Sequence, residues 1–144
     1  MIISSADVRK AIKSVWPNLK YVVLSDSEWL LPDIEELRDM VKEVAIDRMS
    51  FIPPLFECEE FTMMLVTAVR ARRADLATSG KLPREQWRNW PLGAVAGKLF
   101  RGVATNHWIG VCVTKQGLYL VEAQTGEDWK PVSGEDDKNY FLWM

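Results

Sequence analysis

One histidine and two cysteines limit the chemistry that this chain could carry out. Among its 144 residues His107 is the only histidine, and Cys58 and Cys112 are the only cysteines. Any reaction that uses an imidazole must therefore use His107. A single histidine excludes a multi-histidine metal site, and with two cysteines it makes a poor structural zinc site. These residue types favour nucleophilic attack by a thiolate with help from an imidazole.

A β-hairpin is predicted directly after His107. Residues 108–114 and 118–124 have the composition of two strands, and Lys115-Gln116-Gly117 between them is a turn signal. Side chains alternate between the two faces along each strand. The hairpin therefore presents one face with aliphatic residues at the turn end and polar residues at the far end.

The register of this hairpin selects the neighbours of His107. If Val113 lies opposite Leu118, then His107 lies opposite Gln124 and diagonal to Glu122. Opposite and diagonal side chains on one face can touch. Either Glu122 or Gln124 could therefore hold the imidazole ring in one orientation, and a register change of one residue would alter the choice.

Cys58 stands at the start of a predicted helix, where the helix dipole favours a thiolate and free amides could bind an oxyanion. The flanking Glu57, Glu59 and Glu60 oppose a thiolate. These acids are either solvated helix-start residues or part of a calcium site. Cys112 lies on the opposite face of its strand from His107, and we interpret it as a small buried hydrophobic residue. Cys58 is thus the candidate nucleophile.

Three segments carry a family resemblance. Phe56–Phe61, Asn106–Trp108 and Leu120–Gly126 resemble the papain-like cysteine protease domains of the Marasmius oreades agglutinin type. Ala123 stands where that family has proline. The resemblance covers residues from Phe56 to the C-terminus and implies a stand-alone bacterial or phage relative without the lectin part.

The resemblance implies catalytic roles that agree with the residue types. Cys58 would be the nucleophile, His107 the general base and Glu122 the residue that orients the imidazole, with Gln124 as the alternative orienter. No cofactor is required by the sequence, and the resemblance implies calcium as a candidate ion, without assignable ligands. Trp90 and Trp108 lie near these residues in sequence and either wall a substrate cleft or pack in the core.

The order of predicted elements indicates an α+β fold, papain-like, with N-terminal helices packed on a C-terminal antiparallel sheet. We expect a single domain over residues 1–144, with a helical part at about 1–80 and a sheet part at about 95–144. The strongest breaks, Pro53-Pro54 and residues 79–83, do not resemble linkers. The predicted helices cover residues 6–15, a stretch after Pro32, and 58–76, and the predicted strands cover 21–24, 100–104, 108–114, 118–124 and 140–144.

Composition excludes several classes of function. The net charge of −2 gives no general attraction to nucleic acid or acidic lipid, and no apolar run approaches the roughly 20 residues of a membrane helix. The N-terminus lacks a secretory signal pattern, so a cytoplasmic location with two free thiols is expected. Arg70, Arg72 and Arg73 form a cluster near the end of the predicted helix over 58–76. Their positive charges either complement the negative end of the helix dipole or form a patch for an anionic ligand.

Three functions follow as hypotheses. The first is a papain-like thiol hydrolase that cleaves a peptide or amide bond of a peptide or protein substrate through an acyl-thioester on Cys58. The second is a non-catalytic binding or inhibitory module, of the kind found in phage accessory proteins, on the same fold. The third is an assembly subunit that associates through the apolar residues 140–144. The sequence leaves the oligomeric state open.

Overall fold

A computed structural model describes residues 1–50, 57–98, 100–101, 105–133 and 136–144. Within these ranges lie three α-helices: α1 (Ser5–Val15), α2 (Ile34–Val44) and α3 (Cys58–Thr78). The eight strands are β1 (Ile2–Ser4), β2 (Tyr21–Val23), β3 (Glu28–Leu30), β4 (Leu92–Lys98), β5 (His107–Thr114), β6 (Gly117–Val121), β7 (Asp128–Trp129) and β8 (Lys138–Trp143). Two short 3-10 turns cover Ile46–Arg48 and Arg84–Gln86.

Capping residues fix where the helices begin. At the start of α1 the Ser4 hydroxyl accepts a hydrogen bond from the Asp7 amide at 3.2 Å, and the Ser4 amide donates to the Asp7 carboxylate. At α2 the Asp33 amide donates to the Glu36 carboxylate at 2.7 Å. Such reciprocal contacts satisfy amides that have no partner within the first helical turn. They also place acidic groups at the positive ends of the helix dipoles.

The main sheet has six strands in the order β2-β8-β4-β5-β6-β7. All neighbouring pairs are antiparallel except β2 and β8, which are parallel. The strands β1 and β3 form a separate two-stranded sheet. Between β5 and β6 the register pairs Val113 with Leu118, as the sequence predicts.

Apolar side chains fill both faces of the main sheet. On one face Val8 and Ile12 of α1 pack with Ile109 and Val111 of β5. On the other face residues of α2 and α3 pack with Cys112, the residue between Val111 and Val113 on the same strand. This alternation along β5 means that α1 lies against one face of the sheet, and α2 and α3 against the other.

The expected fold class, a papain-like arrangement of N-terminal helices on a C-terminal antiparallel sheet, is wrong. Three of the strands, β1, β2 and β3, come from the part of the chain that was expected to be mainly helical, and only β2 among them was predicted as a strand. The strand β2 joins the main sheet in parallel with β8, so the sheet is mixed. The helices cover both faces rather than forming one layer, because the central strands carry apolar residues on both sides.

Most predicted elements are present with shifted ends. The helix predicted over residues 58–76 ends at Thr78, and the strand predicted over 118–124 ends at Val121. Residues 102–104 of the strand predicted over 100–104, and the break at Pro53-Pro54, lie outside the described residues. No described helix has both the length and the apolar character needed to cross a membrane.

Candidate nucleophilic thiol site

The first turn of α3 carries Cys58 to the start of β5. The helix begins at Cys58, and the preceding Glu57 amide donates to the Glu60 carboxylate at 2.9 Å. The fully buried Thr62 hydroxyl lies 2.8 Å from the Cys58 carbonyl oxygen and 3.2 Å from the Trp108 carbonyl oxygen. Thr62 therefore ties the first turn of α3 to β5, one residue after His107.

The hairpin of β5 and β6 brings His107 and Glu122 together. The imidazole Nε2 of His107 lies 2.7 Å from a Glu122 carboxylate oxygen. Glu122 follows the last paired residue of β6, and its own amide donates to the Glu127 carbonyl at 2.8 Å. Its second carboxylate oxygen accepts a hydrogen bond from the Gln124 amide at 3.1 Å. Backbone contacts thus hold the carboxylate that orients the ring, and Glu122 rather than Gln124 makes the contact.

The thiol of Cys58 meets the same imidazole. A hydrogen bond to Cys58 is the largest cause that raises the pKa of His107 to about 9, a hydrogen bond to Glu122 is the second, and burial opposes both. Cys58 and His107 also line the same cavity. At neutral pH this arrangement favours an imidazolium between two groups that can carry negative charge.

Glu59 is a second partner of the thiol. The Cys58 thiol lies 3.3 Å from a Glu59 carboxylate oxygen, to which it can donate. A carboxylate at this distance places negative charge beside the sulfur, whereas the imidazolium places positive charge there. His107 and Glu59 therefore act on Cys58 in opposite directions.

We expect Glu59→Gln to raise the alkylation rate of Cys58 by iodoacetamide at pH 7 by roughly threefold to tenfold, since a negative charge near the thiolate is removed. The rate is measured in a Cys112→Ser background. Glu85→Gln, which neutralises a glutamate that lines a different cavity, serves as the control and leaves the rate unchanged. An unchanged or slower rate in Glu59→Gln would contradict the opposing role of Glu59.

The raised pKa of His107 also predicts a dependence of stability on pH. A group whose pKa is higher in the folded state stabilises the protein fully below its unfolded value of 6.5, and this contribution is lost as the pH rises through about 9. We expect wild type to exceed His107→Gln in free energy of unfolding by on the order of 2 kcal/mol more at pH 6 than at pH 9.5. Urea denaturation at both pH values measures the difference. A constant difference would show that the ring is not held as an imidazolium.

Two cavities flank the imidazole ring. The first, of about 490 Å³, contains the thiol and is lined by Glu57, Cys58, Glu59, Asn106, His107, Trp108 and Gln124. The second, of about 390 Å³, is lined by Phe100, Arg101, Thr105, His107, Ile109, Glu122, Thr125, Glu127 and Trp129. The His107–Glu122 pair therefore separates a space that reaches the thiol from a space behind the ring.

The other predicted site residues have different positions. Trp108 lines the thiol cavity, whereas Trp90 is 5% exposed and packs in the core between the sheet and α3, so the interpretation of Trp90 as a cleft wall is corrected. Cys112 is fully buried and its burial raises the pKa of its thiol, so it is a core residue. Within the described ranges no group of three or more His, Cys, Asp or Glu side chains is arranged to hold a metal ion. The calcium dependence stays a prediction.

Sequence reasoning missed the part that Thr62 plays. The signal was present, because Thr62 lies one helical turn after Cys58 and its short polar side chain can bond the carbonyl four residues earlier. Its second contact, with β5, depends on how α3 packs against the sheet, which sequence spacing does not specify.

Comparisons with known proteins show the fold. No protein-family model matches the chain, and no curated protein matches its sequence. A solved structure titled "PSL1a-E64 complex" matches with a TM-score of 0.76 and 17% identity, over 99% of this chain and 51% of that chain. Polyporus squamosus lectin bound to the human-type influenza-binding epitope Neu5Aca2-6Galb1-4GlcNAc matches with a TM-score of 0.73 and 17% identity, over 99% of this chain and 49% of that chain.

These findings correct the assignment made from the sequence. One of these neighbours is described as a lectin. The identification with papain-like cysteine proteases of the agglutinin type is therefore wrong, and so is the function as a thiol hydrolase of peptide or amide bonds. A peptide or protein substrate has no support from these neighbours, and neither does a non-catalytic module on a papain-like fold. The chain spans about half the length of the neighbours, and at 17% identity the likeness establishes the fold alone.

Proposed function

We propose that Cys58, His107 and Glu122 form a nucleophilic thiol site that makes a covalent bond to an electrophilic carbon of a small ligand. The observation that carries the proposal is the position of the His107 ring, which lines the same cavity as the Cys58 thiol and lies 2.7 Å from the Glu122 carboxylate. A thiol, an imidazole and a carboxylate in this order are the groups that activate a cysteine for attack.

Each residue would have one role in bond formation. In the reactive form the Cys58 thiol has lost its proton to solvent and lies as a thiolate beside the His107 imidazolium, which the Glu122 carboxylate stabilises. The thiolate donates an electron pair to the electrophilic carbon, and a sulfur–carbon bond forms. The attack displaces an electron pair from the carbon onto a group that is attached to this carbon. The imidazolium of His107 is the nearest acid that can protonate this group. Amides in the first turn of α3 lie at the positive end of the helix dipole, where they favour developing negative charge.

The cavity at Cys58 supports a ligand of modest size. Its volume of about 490 Å³ lies within the range of small-molecule sites, and Trp108 gives it one aromatic wall. One of the solved structures with this fold is titled as a complex with E64. This complex supports the proposal of a small ligand, and the thiol site is the position that we assign to such a ligand in this chain.

Covalent labelling tests the proposal. We expect iodoacetamide at pH 6.5 to add one carboxamidomethyl group to the folded protein, and peptide mapping to locate it on Cys58. Cys58→Ala should abolish labelling, whereas Cys112→Ala should retain it because Cys112 is buried. Wild type that reacts no faster than glutathione at the same pH would overturn the proposal.

Parallel reactions with calcium and with a chelator test the predicted calcium dependence, which a higher rate in calcium would support.

Glycan binding is a second candidate function, favoured by the cavity behind His107. Its lining includes the half-buried Trp129, whose indole Nε1–H is buried without a hydrogen-bond partner among the described residues. Thr125 and Glu127 add polar groups to the same wall, and the Arg101 guanidinium lies 3.7 Å from the centroid of the Trp129 ring. A polyhydroxylated ligand would supply the acceptor that the indole lacks. Polyporus squamosus lectin, which has this fold, is titled as bound to a sialylated glycan.

A glycan titration followed by NMR tests this second candidate. We expect Neu5Aca2-6Galb1-4GlcNAc to shift the Trp129 indole signal in a saturable way, and Trp129→Phe to weaken binding by about fivefold, since one hydrogen-bond donor is lost. Tyr140→Phe, which removes one donor from an exposed ring outside this cavity, is the control. The absence of any saturable shift at millimolar glycan would remove this candidate and leave the thiol site unaffected.

A further inference from the structure

Arg70 on α3 carries a charge that the fold leaves incompletely compensated. Two of its guanidinium nitrogens, Nε and Nη2, are buried and have no hydrogen-bond partner among the described residues. The guanidinium lies 5.3 Å from the centroid of the Trp143 ring, whose face attracts a cation but offers no hydrogen-bond acceptor. Buried polar groups in folded proteins are otherwise almost always paired. Burial also lowers the pKa of Arg70, and Asp26 opposes this effect in part.

The neighbouring arginines differ from Arg70 because each already has partners. Arg73 donates to the carbonyl oxygens of Gln86 and Arg88 at 2.9 and 3.0 Å. Arg88 forms an ion pair with Glu28 at 3.1 Å. Arg72, two residues after Arg70 on the same helix, forms an ion pair with Glu43 at 2.6 Å.

A cavity of about 230 Å³ adjoins these arginines. It is lined by Arg70, Arg73, Ala74, Ala77, Leu82, Gln86, Trp87, Arg88 and Asn89. Three positively charged side chains therefore converge on one space. Trp87 is 48% exposed, and its indole N–H already donates to the Leu82 carbonyl, so its ring is free to contact a ligand. The space combines a cationic wall with an aromatic one.

We propose that this cavity binds an oxyanion, the carboxylate or phosphate group of a small ligand, with Arg70 as the charged anchor and Trp87 as the apolar wall. An oxyanion would compensate the Arg70 charge, and its oxygens match the planar donor array of a guanidinium. The arginine cluster of the sequence is thereby divided by role, because Arg72 is ion-paired to α2 and Arg70 adjoins the cavity. This site shares no lining residue with either cavity at His107.

Asp26 is the competing source of negative charge. It acts electrostatically on Arg70, and its carboxylate accepts a hydrogen bond from the Asn89 amide at 3.0 Å. If Asp26 already serves as the counterion of Arg70, Arg70 adds nothing to the affinity of the cavity for an anion. If Asp26 compensates the charge only in part, its neutralisation should strengthen anion binding.

Titration with inorganic phosphate and with acetate at constant ionic strength, followed by tryptophan fluorescence, tests the proposal. We expect saturable binding of at least one of the two anions. Arg70→Gln should weaken it by at least about tenfold, which corresponds to the loss of one charge-assisted contact. Arg72→Gln, the matched control on the same helix, should change it by less than twofold. Asp26→Asn should strengthen it. A preference for phosphate or for acetate identifies the anion that the cavity favours.

Two outcomes would overturn the proposal. One is the absence of saturable binding by either anion in wild type. The other is an equal loss in Arg70→Gln and Arg72→Gln, which would indicate general attraction to a basic helix surface. Arg70→Lys keeps the positive charge if Arg70→Gln fails to fold, and binding that is unchanged in this variant would also count against a guanidinium anchor.

Discussion

His107→Ala should lower the alkylation rate of Cys58 at pH 6 by about 30-fold in a Cys112→Ser background. A free thiol with a pKa of about 8.5 is roughly 0.3% thiolate at this pH. The His107 ring, whose pKa is raised to about 9 by its bonds to Cys58 and Glu122, places a positive charge beside the sulfur that should favour attack by an anion. Iodoacetamide rates between pH 5 and 10 measure the effect. The difference between wild type and variant should be largest at low pH and should shrink as the ring loses its proton near pH 9.

Glu122→Gln distinguishes the effect of the His107 imidazole on Cys58 from the effect of the Glu122 carboxylate that orients the imidazole. An amide can still accept a hydrogen bond from Nε2 but provides no negative charge, so we expect an intermediate loss of about threefold to tenfold at pH 6. Gln124→Ala, which keeps the Glu122 contact, should have little effect because only the backbone amide of Gln124 reaches that carboxylate. Equal alkylation rates in wild type and His107→Ala at pH 6 would show that the imidazole does not activate Cys58.

Gly93→Ala should destabilise the protein by at least about 3 kcal/mol. Gly93 lies in β4 against the end of β8, and a β-carbon there would stand 1.9 Å from the Trp143 carbonyl oxygen and 2.7 Å from the Met144 α-carbon. Both atoms belong to the backbone, so no side chain can move aside. The two strands would have to separate where β4 occupies a central position of the sheet. Urea or thermal unfolding measures the loss.

Gly80→Ala is the matched control for this prediction. Gly80 has a φ of +72°, and nothing lies within 4 Å of an added β-carbon. Its substitution should cost about 1 kcal/mol, the penalty of a left-handed backbone for alanine. If the two variants are equally stable, the close approach of β4 and β8 is not as the structure describes it.

The candidate site was predictable from sequence to the extent that it depends on local rules. The two-residue period of the hairpin and the turn at Gly117 fix which side chains share a face, and this was sufficient to bring His107 beside Glu122. Cys58 was also predicted at a helix start, and α3 begins at this residue. How α3 approaches β5, through the buried Thr62, depends on tertiary packing that no local pattern encodes.

The sheet was less predictable, and β4 shows the reason. The strand is rich in glycine and alanine and is buried on both faces from Leu92 to Gly97, so it shows no alternation of polar and apolar residues. The strands β1 and β3, which were not predicted, have three residues each, too few for a periodic signal. Pairing of β2 with β8 joins residues about 120 positions apart, and it made the expected antiparallel sheet mixed.

The same short strands determine how the sheet meets other molecules. The two outer positions of the six-stranded sheet are occupied by β2, with three residues, and β7, with two. Unpaired backbone groups at a sheet margin are templates on which another chain can add a strand, and short margins offer few of them. The long, apolar β4 and β5 are enclosed between neighbours. We expect this arrangement to limit edge-to-edge pairing of folded chains at β2 and β7.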